Sequence, residues 1–184
     1  MKLAVLFPGI GYTCDKPLLY YGAKLAKNFG YEVKRVEYGN FPKKVRGNRV
    51  FMEASFETAK AQTKEILKDV RWEEYEEILF ISKSIGTIVA AHYQKKHHLK
   101  VRNISFTPLE DTFTFAEGEG IMFHGTSDPW VESSEAIIRG CERIGQPLYL
   151  VEGGNHSLET GDVAKDLENL KQVMETVERY ICCV

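Results

Sequence analysis

One stretch restricts the possible folds of this chain more than any other. At Leu79-Phe80-Ile81 an apolar, strand-like segment runs into Ser82-Lys83-Ser84-Ile85-Gly86. The chain then continues, with no loop between, as the helix-like Thr87-Ile88-Val89-Ala90-Ala91. A strand can pass into a helix that abruptly only through a sharp turn, which puts Ser84 at the apex with its hydroxyl pushed out of the sheet. The small neighbours Ser82 and Gly86 allow the adjoining backbones to approach.

The rest of the chain alternates in the same way. Strands are expected at Lys2–Phe7, Tyr31–Tyr38, Glu77–Ser82, Arg102–Phe106, Gly120–Phe123 and Pro147–Val151. Helical spacing falls at Pro17–Phe29, Phe51–Val70, Ser84–Gln94, Ser133–Ile144 and Asp162–Ile181. Gly30 stands as a left-handed stop after the first helix, and Gly145 with Pro147 ends the fourth. Short strands separated by helices predict a parallel sheet covered on both faces, an α/β fold. With 184 residues and no linker or repeat, one domain over 1–184 is expected.

Composition removes several function classes. The net charge of -2 gives no electrostatic reason for a nucleic-acid or anionic-membrane partner. The apolar run at Leu3–Phe7 is too short for a signal peptide and reads as a buried first strand; a cytoplasmic location is the default. No stretch approaches the roughly 20 apolar residues of a membrane span. Cys14, Cys141, Cys182 and Cys183 lack paired metal-type spacing and read as reduced thiols, so no metal is expected at them. Cys14 lies beside a glycine loop and is a candidate reactive thiol. His97 and His98 form a cationic helix end with Lys95, Lys96 and Lys100 rather than a metal site.

Chemistry concentrates at three places. A serine hydroxyl needs a base within hydrogen-bond reach, and the base needs a carboxylate to orient it. Asp128 follows the strand Gly120–Phe123, and His156, in Gly153-Gly154-Asn155-His156, follows Pro147–Val151. In a parallel sheet both emerge at the edge that carries Ser84. Glu110 and Asp111, after the preceding strand, are substitutes for the acid. An oxyanion would be held by the Ile85 amide and by the loop Gly9-Ile10-Gly11-Tyr12, which follows the first strand. Lys83 either projects to the site mouth or is a solvated lysine. Trp130 reads as a packing residue that buttresses the acid loop.

On these residues the chain resembles the α/β-hydrolase superfamily, most closely its small dienelactone-hydrolase-like branch. The resemblance runs from the glycine loop to the last helix. It implies an open, mainly parallel six-stranded sheet in the order 2-1-3-4-5-6, a minimal form of that fold. It also implies a catalytic triad Ser84, Asp128 and His156, in the family's order of nucleophile, acid and histidine. The implied activity is hydrolysis of a small ester or thioester through an acyl-enzyme, without cofactor. Two departures stand out. Ser82 occupies the first glycine position of the G-x-S-x-G elbow, leaving a second hydroxyl nearby. Only Thr107–Glu119 fills the place of the family's helical lid, so an open, shallow pocket is expected. Phe113 and Phe115 in that segment could line the pocket wall, with ordinary core packing the plainer reading.

Two other readings compete. Gly9-Ile10-Gly11 could cradle a phosphate in a flavodoxin-like nucleotide-binding module, although the third glycine is missing. The chain could also be an inactive hydrolase scaffold serving as an interaction protein. Oligomeric state is not legible.

Overall fold

The computed structural model describes residues 1–183; residue 184, the last of the expected domain, lies outside them. Six strands, β1 (Lys2–Phe7), β2 (Tyr31–Arg35), β3 (Glu77–Lys83), β4 (Arg102–Phe106), β5 (Glu119–Gly125) and β6 (Leu148–Val151), form one sheet. All five strand pairs are parallel, in the order β2-β1-β3-β4-β5-β6, as expected. The helices are α1 (Pro17–Asn28), α2 (Arg49–Leu67), α3 (Ile85–His97), α4 (Ser134–Ile144) and α5 (Val163–Cys182).

Alternation along the strands sorts side chains into two layers. Ala4, Leu6, Leu79 and Ile81 pack with Leu18, Leu19, Val173 and Val177 of α1 and α5. Leu3, Val5, Phe7, Ile78 and Phe80 pack on the other face with Ala59, Leu67, Val89 and Tyr93 of α2 and α3. Ile137 and Cys141 of α4 meet Phe113 and Met122 in a smaller cluster. Phe113 is thus core, as its sequence context suggested. Among the described residues, no helix is long and apolar enough to cross a membrane.

Some boundaries differ from expectation, each for a local reason. β2 ends at Arg35 rather than Tyr38; Val36 still donates to the Leu6 carbonyl (2.9 Å), and Tyr38 then turns inward to hydrogen-bond the Pro8 carbonyl (2.6 Å). α2 starts earlier, because the Asn48 side chain accepts from the Phe51 amide (3.0 Å). α3 runs on to His97 and is closed by His98 in the left-handed region, with Leu99 donating to the Gln94 carbonyl (3.1 Å). His97 stacks on Tyr93 (4.2 Å between centroids) at the end of α3.

The register fixes where function can sit. Phe7 pairs with Ser82, Lys83 with Phe106, Phe106 with Phe123, and Gly125 with Val151. The loops that carry Gly9, Ser84, Asp128 and His156 therefore leave one common rim, the carboxyl edge of the sheet. Connections on either side of β1 go to opposite faces there, which opens a crevice at that point.

Candidate active site

Ser84 sits between β3 and α3 at φ 57, ψ -126, a backbone region that non-glycine residues avoid. Two contacts enforce it. The Ser84 amide donates to the Phe106 carbonyl (3.0 Å), and Thr87 donates back to the Ser84 carbonyl through both its amide (2.9 Å) and its hydroxyl (2.7 Å). Gly86 makes the approach possible: a Cβ there would lie 2.2 Å from the Phe7 carbonyl oxygen and 2.5 Å from that of Pro8. The elbow is thus wedged against the end of β1.

The three expected side chains meet. His156 Nε2 is 2.7 Å from Ser84 Oγ, and His156 Nδ1 is 2.7 Å from Asp128 Oδ2. The other Asp128 oxygen accepts from the Trp130 amide (2.9 Å). With an ionised carboxylate at Nδ1, the ring proton stays on that side and Nε2 is left to accept from the serine. Trp130 does more than brace the acid loop, since its ring stacks on the imidazole at 4.9 Å.

Burial sets the electrostatics. The Asp128 side chain is fully buried and that of His156 is 12% exposed. Burial raises the Asp128 carboxyl, but the His156 hydrogen bond and charge, the Trp130 amide and the His124 charge outweigh it and hold the group below its ordinary range. Burial pushes the His156 imidazole down; the Asp128 hydrogen bond opposes this and the Lys83 charge adds to it, leaving His156 below its ordinary value. Burial thus favours the neutral imidazole.

The expected oxyanion loop is only partly free. Gly9 and Tyr12 exchange backbone hydrogen bonds (3.0 and 3.4 Å), so neither amide is available. That corrects the expectation for those two residues. Among the described residues, the amides of Ile10, Gly11 and Ile85 have no partner within the chain, and Ile85 opens a thirteen-residue helix, whose dipole favours negative charge. The same geometry disfavours a phosphate cradle. Residues 13–16 separate the loop from α1, and Pro17, in the first turn of that helix, has no N–H to offer.

Other expectations resolve as follows. Ser82 is buried and engaged with Ser105 Oγ (3.3 Å) and the Ile104 carbonyl (3.4 Å), so it offers no second nucleophile. Glu110 accepts from the Glu132 amide (3.3 Å) and Asp111 is exposed; neither replaces Asp128. Cys14 is buried, donates to the Val36 carbonyl (3.7 Å), and burial pushes its thiol up to about 12, the opposite of a reactive cysteine. Ser84 is only 3% exposed, and Ile85, Ile88 and Leu109 gather Ile10, Met52, Phe56, Phe115, Trp130 and Val131 around the elbow. Met52 and Phe56 belong to α2, a contribution that no local pattern signals.

No family model matches the sequence, and no curated protein matches it. Solved structures do. The fold is similar to that of an alpha-beta serine hydrolase homologue from Coxiella burnetii (17% identity over 98% of this chain and 84% of that one, TM-score 0.66). It is also similar to Est1E from Butyrivibrio proteoclasticus with ferulic acid bound (12% identity, 98% and 88%, TM-score 0.70). A third match is alpha/beta hydrolase domain-containing protein 10 from mouse (13% identity, 96% and 90%, TM-score 0.64). The chain has the α/β-hydrolase fold.

Proposed function

We propose that this protein is a serine hydrolase that cleaves a small ester or thioester through an acyl-enzyme on Ser84. The observation that carries the reading is the continuous pair of 2.7 Å contacts from Ser84 through His156 to Asp128. In this reading His156 accepts the Ser84 proton as Oγ attacks the acyl carbonyl carbon. The developing oxyanion is held by the Ile85 amide together with that of Ile10 or Gly11. Collapse of the tetrahedral species expels the leaving group, which takes the proton from the imidazolium. Water, deprotonated by His156, then attacks the acyl-serine and releases the acid. Asp128 fixes the tautomer and stabilises the imidazolium throughout.

The apolar residues around the elbow favour an uncharged acyl group of modest size, since a charged one would lose its hydration against Ile10, Met52 and Val131 without a partner. Ser82 and Cys14 are excluded as nucleophiles by the contacts described above. A fluorophosphonate probe is expected to label Ser84 and no other residue. Ser84→Ala should lower turnover of a short p-nitrophenyl ester by about 10⁴- to 10⁶-fold while leaving the thermal transition in place. Undiminished turnover in that variant would overturn the assignment.

A further inference from the structure

The residue immediately before Ser84 has no task in that chemistry. Lys83 ends β3 and is 2% exposed, one of the largest fully buried side chains in the protein. It shares the sheet face of Leu79 and Ile81, under α1 and α5. Among the described residues its amine has neither a hydrogen bond nor a carboxylate at ion-pair distance, and only a small part of the side chain meets solvent. Burying an ammonium in that way is costly, and methionine would fill the same space without the cost. Space filling does not account for a lysine here.

What the side chain touches does. Its Nζ lies 4.7 Å from the centroid of the Tyr12 ring. Its Cδ runs beneath Gly9, where a Cβ would come within 3.3 Å of it. Lys83 therefore contacts both ends of the Gly9–Tyr12 turn, the two residues whose backbones bridge each other. Tyr12 is itself anchored, its phenol oxygen accepting from the Leu18 amide (3.1 Å) in the first turn of α1.

We propose that Lys83 is a positioning residue: its buried ammonium, seated on the face of Tyr12, braces the Gly9–Tyr12 turn from beneath and so fixes the Ile10 and Gly11 amides relative to Ser84. The role in turnover rests on the hydrolase reading above; the brace itself does not. The attraction to the ring requires the charged amine. Burial lowers that amine to about 7, against the pull of the Asp128 and Glu159 carboxylates. The other titratable groups facing it are His156 and Tyr12, and burial keeps the Tyr12 phenol neutral by raising it to about 12. The brace is thus engaged in mildly acidic solution and slackens as pH rises through the lysine's value.

Lys83→Met removes the charge and keeps the stem; Tyr12→Leu removes the ring face; Lys83→Arg restores a cation. Lys83→Met is expected to be at least as thermostable as the wild type at about pH 6, since a buried unpaired charge is gone. Its Gly9–Tyr12 amides should nonetheless exchange with solvent about tenfold faster, and kcat should fall about tenfold with KM little changed. The alkaline decline of kcat should vanish in it. Tyr12→Leu should behave alike, the double variant no worse than either, and Lys83→Arg should recover part of the loss. Unchanged exchange and an unchanged alkaline limb in Lys83→Met would overturn the proposal. Failure of the fluorophosphonate to label wild-type Ser84 would instead remove the hydrolase reading, and the exchange measurement would still decide the brace.

Discussion

At the scale of single residues, Ser84 holds strain that its neighbours enforce. Alanine at this position keeps the Cβ and so keeps the positive φ penalty, whereas glycine relieves it. Ser84→Gly should therefore exceed Ser84→Ala in unfolding free energy by about 1 kcal/mol, measured in urea, with both inactive. A stability order reversed between the two would show that the elbow is unstrained. His156 supplies a second prediction. As a base it must be neutral, and burial holds it below the ordinary histidine range of about 6.5. kcat/KM should then rise with pH along an acid limb centred below that value, and an acid limb centred above it would contradict the burial of the imidazole. Asp128→Asn removes the group that selects the tautomer and should lower kcat by about 10⁴-fold.

At the scale of elements, two glycines decide how closely the functional loops approach one another. Gly86 lets the start of α3 cross the end of β1, and the backbone oxygens of Phe7 and Pro8 occupy the space of any Cβ. Gly86→Ala should cost about 3 kcal/mol and abolish activity, because the elbow and the end of β1 with its Gly9–Tyr12 turn are forced apart. Gly125, the last residue of β5, makes the same kind of approach to the histidine loop, where a Cβ would lie 2.2 Å from the Gly154 oxygen. Gly125→Ala moves His156 relative to Asp128, so kcat should fall about 100-fold or more. Crystal structures of the variant would show the loop displaced; an undisplaced loop with full activity would contradict the argument. Both contacts join segments far apart in sequence, yet each lies two residues from a side chain of the site, Gly86 from Ser84 and Gly154 from His156.

At the scale of the whole molecule, buried titratable groups link stability to pH in opposite directions. Lys83 has a folded value of about 7 against 10.5 for the free side chain. Between those values the unfolded chain binds a proton that the folded chain has lost, so stability rises with pH across that window, by up to about 1.4 kcal/mol per pH unit. Cys14 and Cys141 work the other way. Burial raises both thiols from 9.0 to about 12, so above about pH 9 the folded chain keeps protons the unfolded chain has shed, and stability falls. Urea unfolding should therefore show wild-type stability climbing from about pH 7 and turning over near 9. Lys83→Met should lack the climb and keep the fall. A flat difference between the two proteins across that range would mean that Lys83 is charged throughout.

Local pattern was enough for the elements and for a parallel sheet, and the strand order came from the resemblance to the α/β-hydrolases. Apolar runs such as Leu3–Phe7 and Ile78–Ile81, helices with stop signals at Gly30 and Gly145, and the uninterrupted step at Ser84 belong to short windows, where backbone sterics and local hydrophobic pattern act alone. That Asp128 and His156 share a rim with Ser84 also followed from the sequence, because parallel strands deliver every following loop to the same edge. Contacts between distant segments were beyond it. Nothing in Gly9-Ile10-Gly11-Tyr12 says that its two outer amides are spent on each other, and nothing in Arg49–Leu67 says that Met52 reaches the elbow. Nor does a lysine between two serines announce that it will be buried against tyrosine. Covalent connectivity and side-chain pattern determined the strands, the helices and the edge on which chemistry can occur; only tertiary packing, by excluding water and setting which backbones touch, decided which amides stay free, which pKa values move and which side chains gather around the serine.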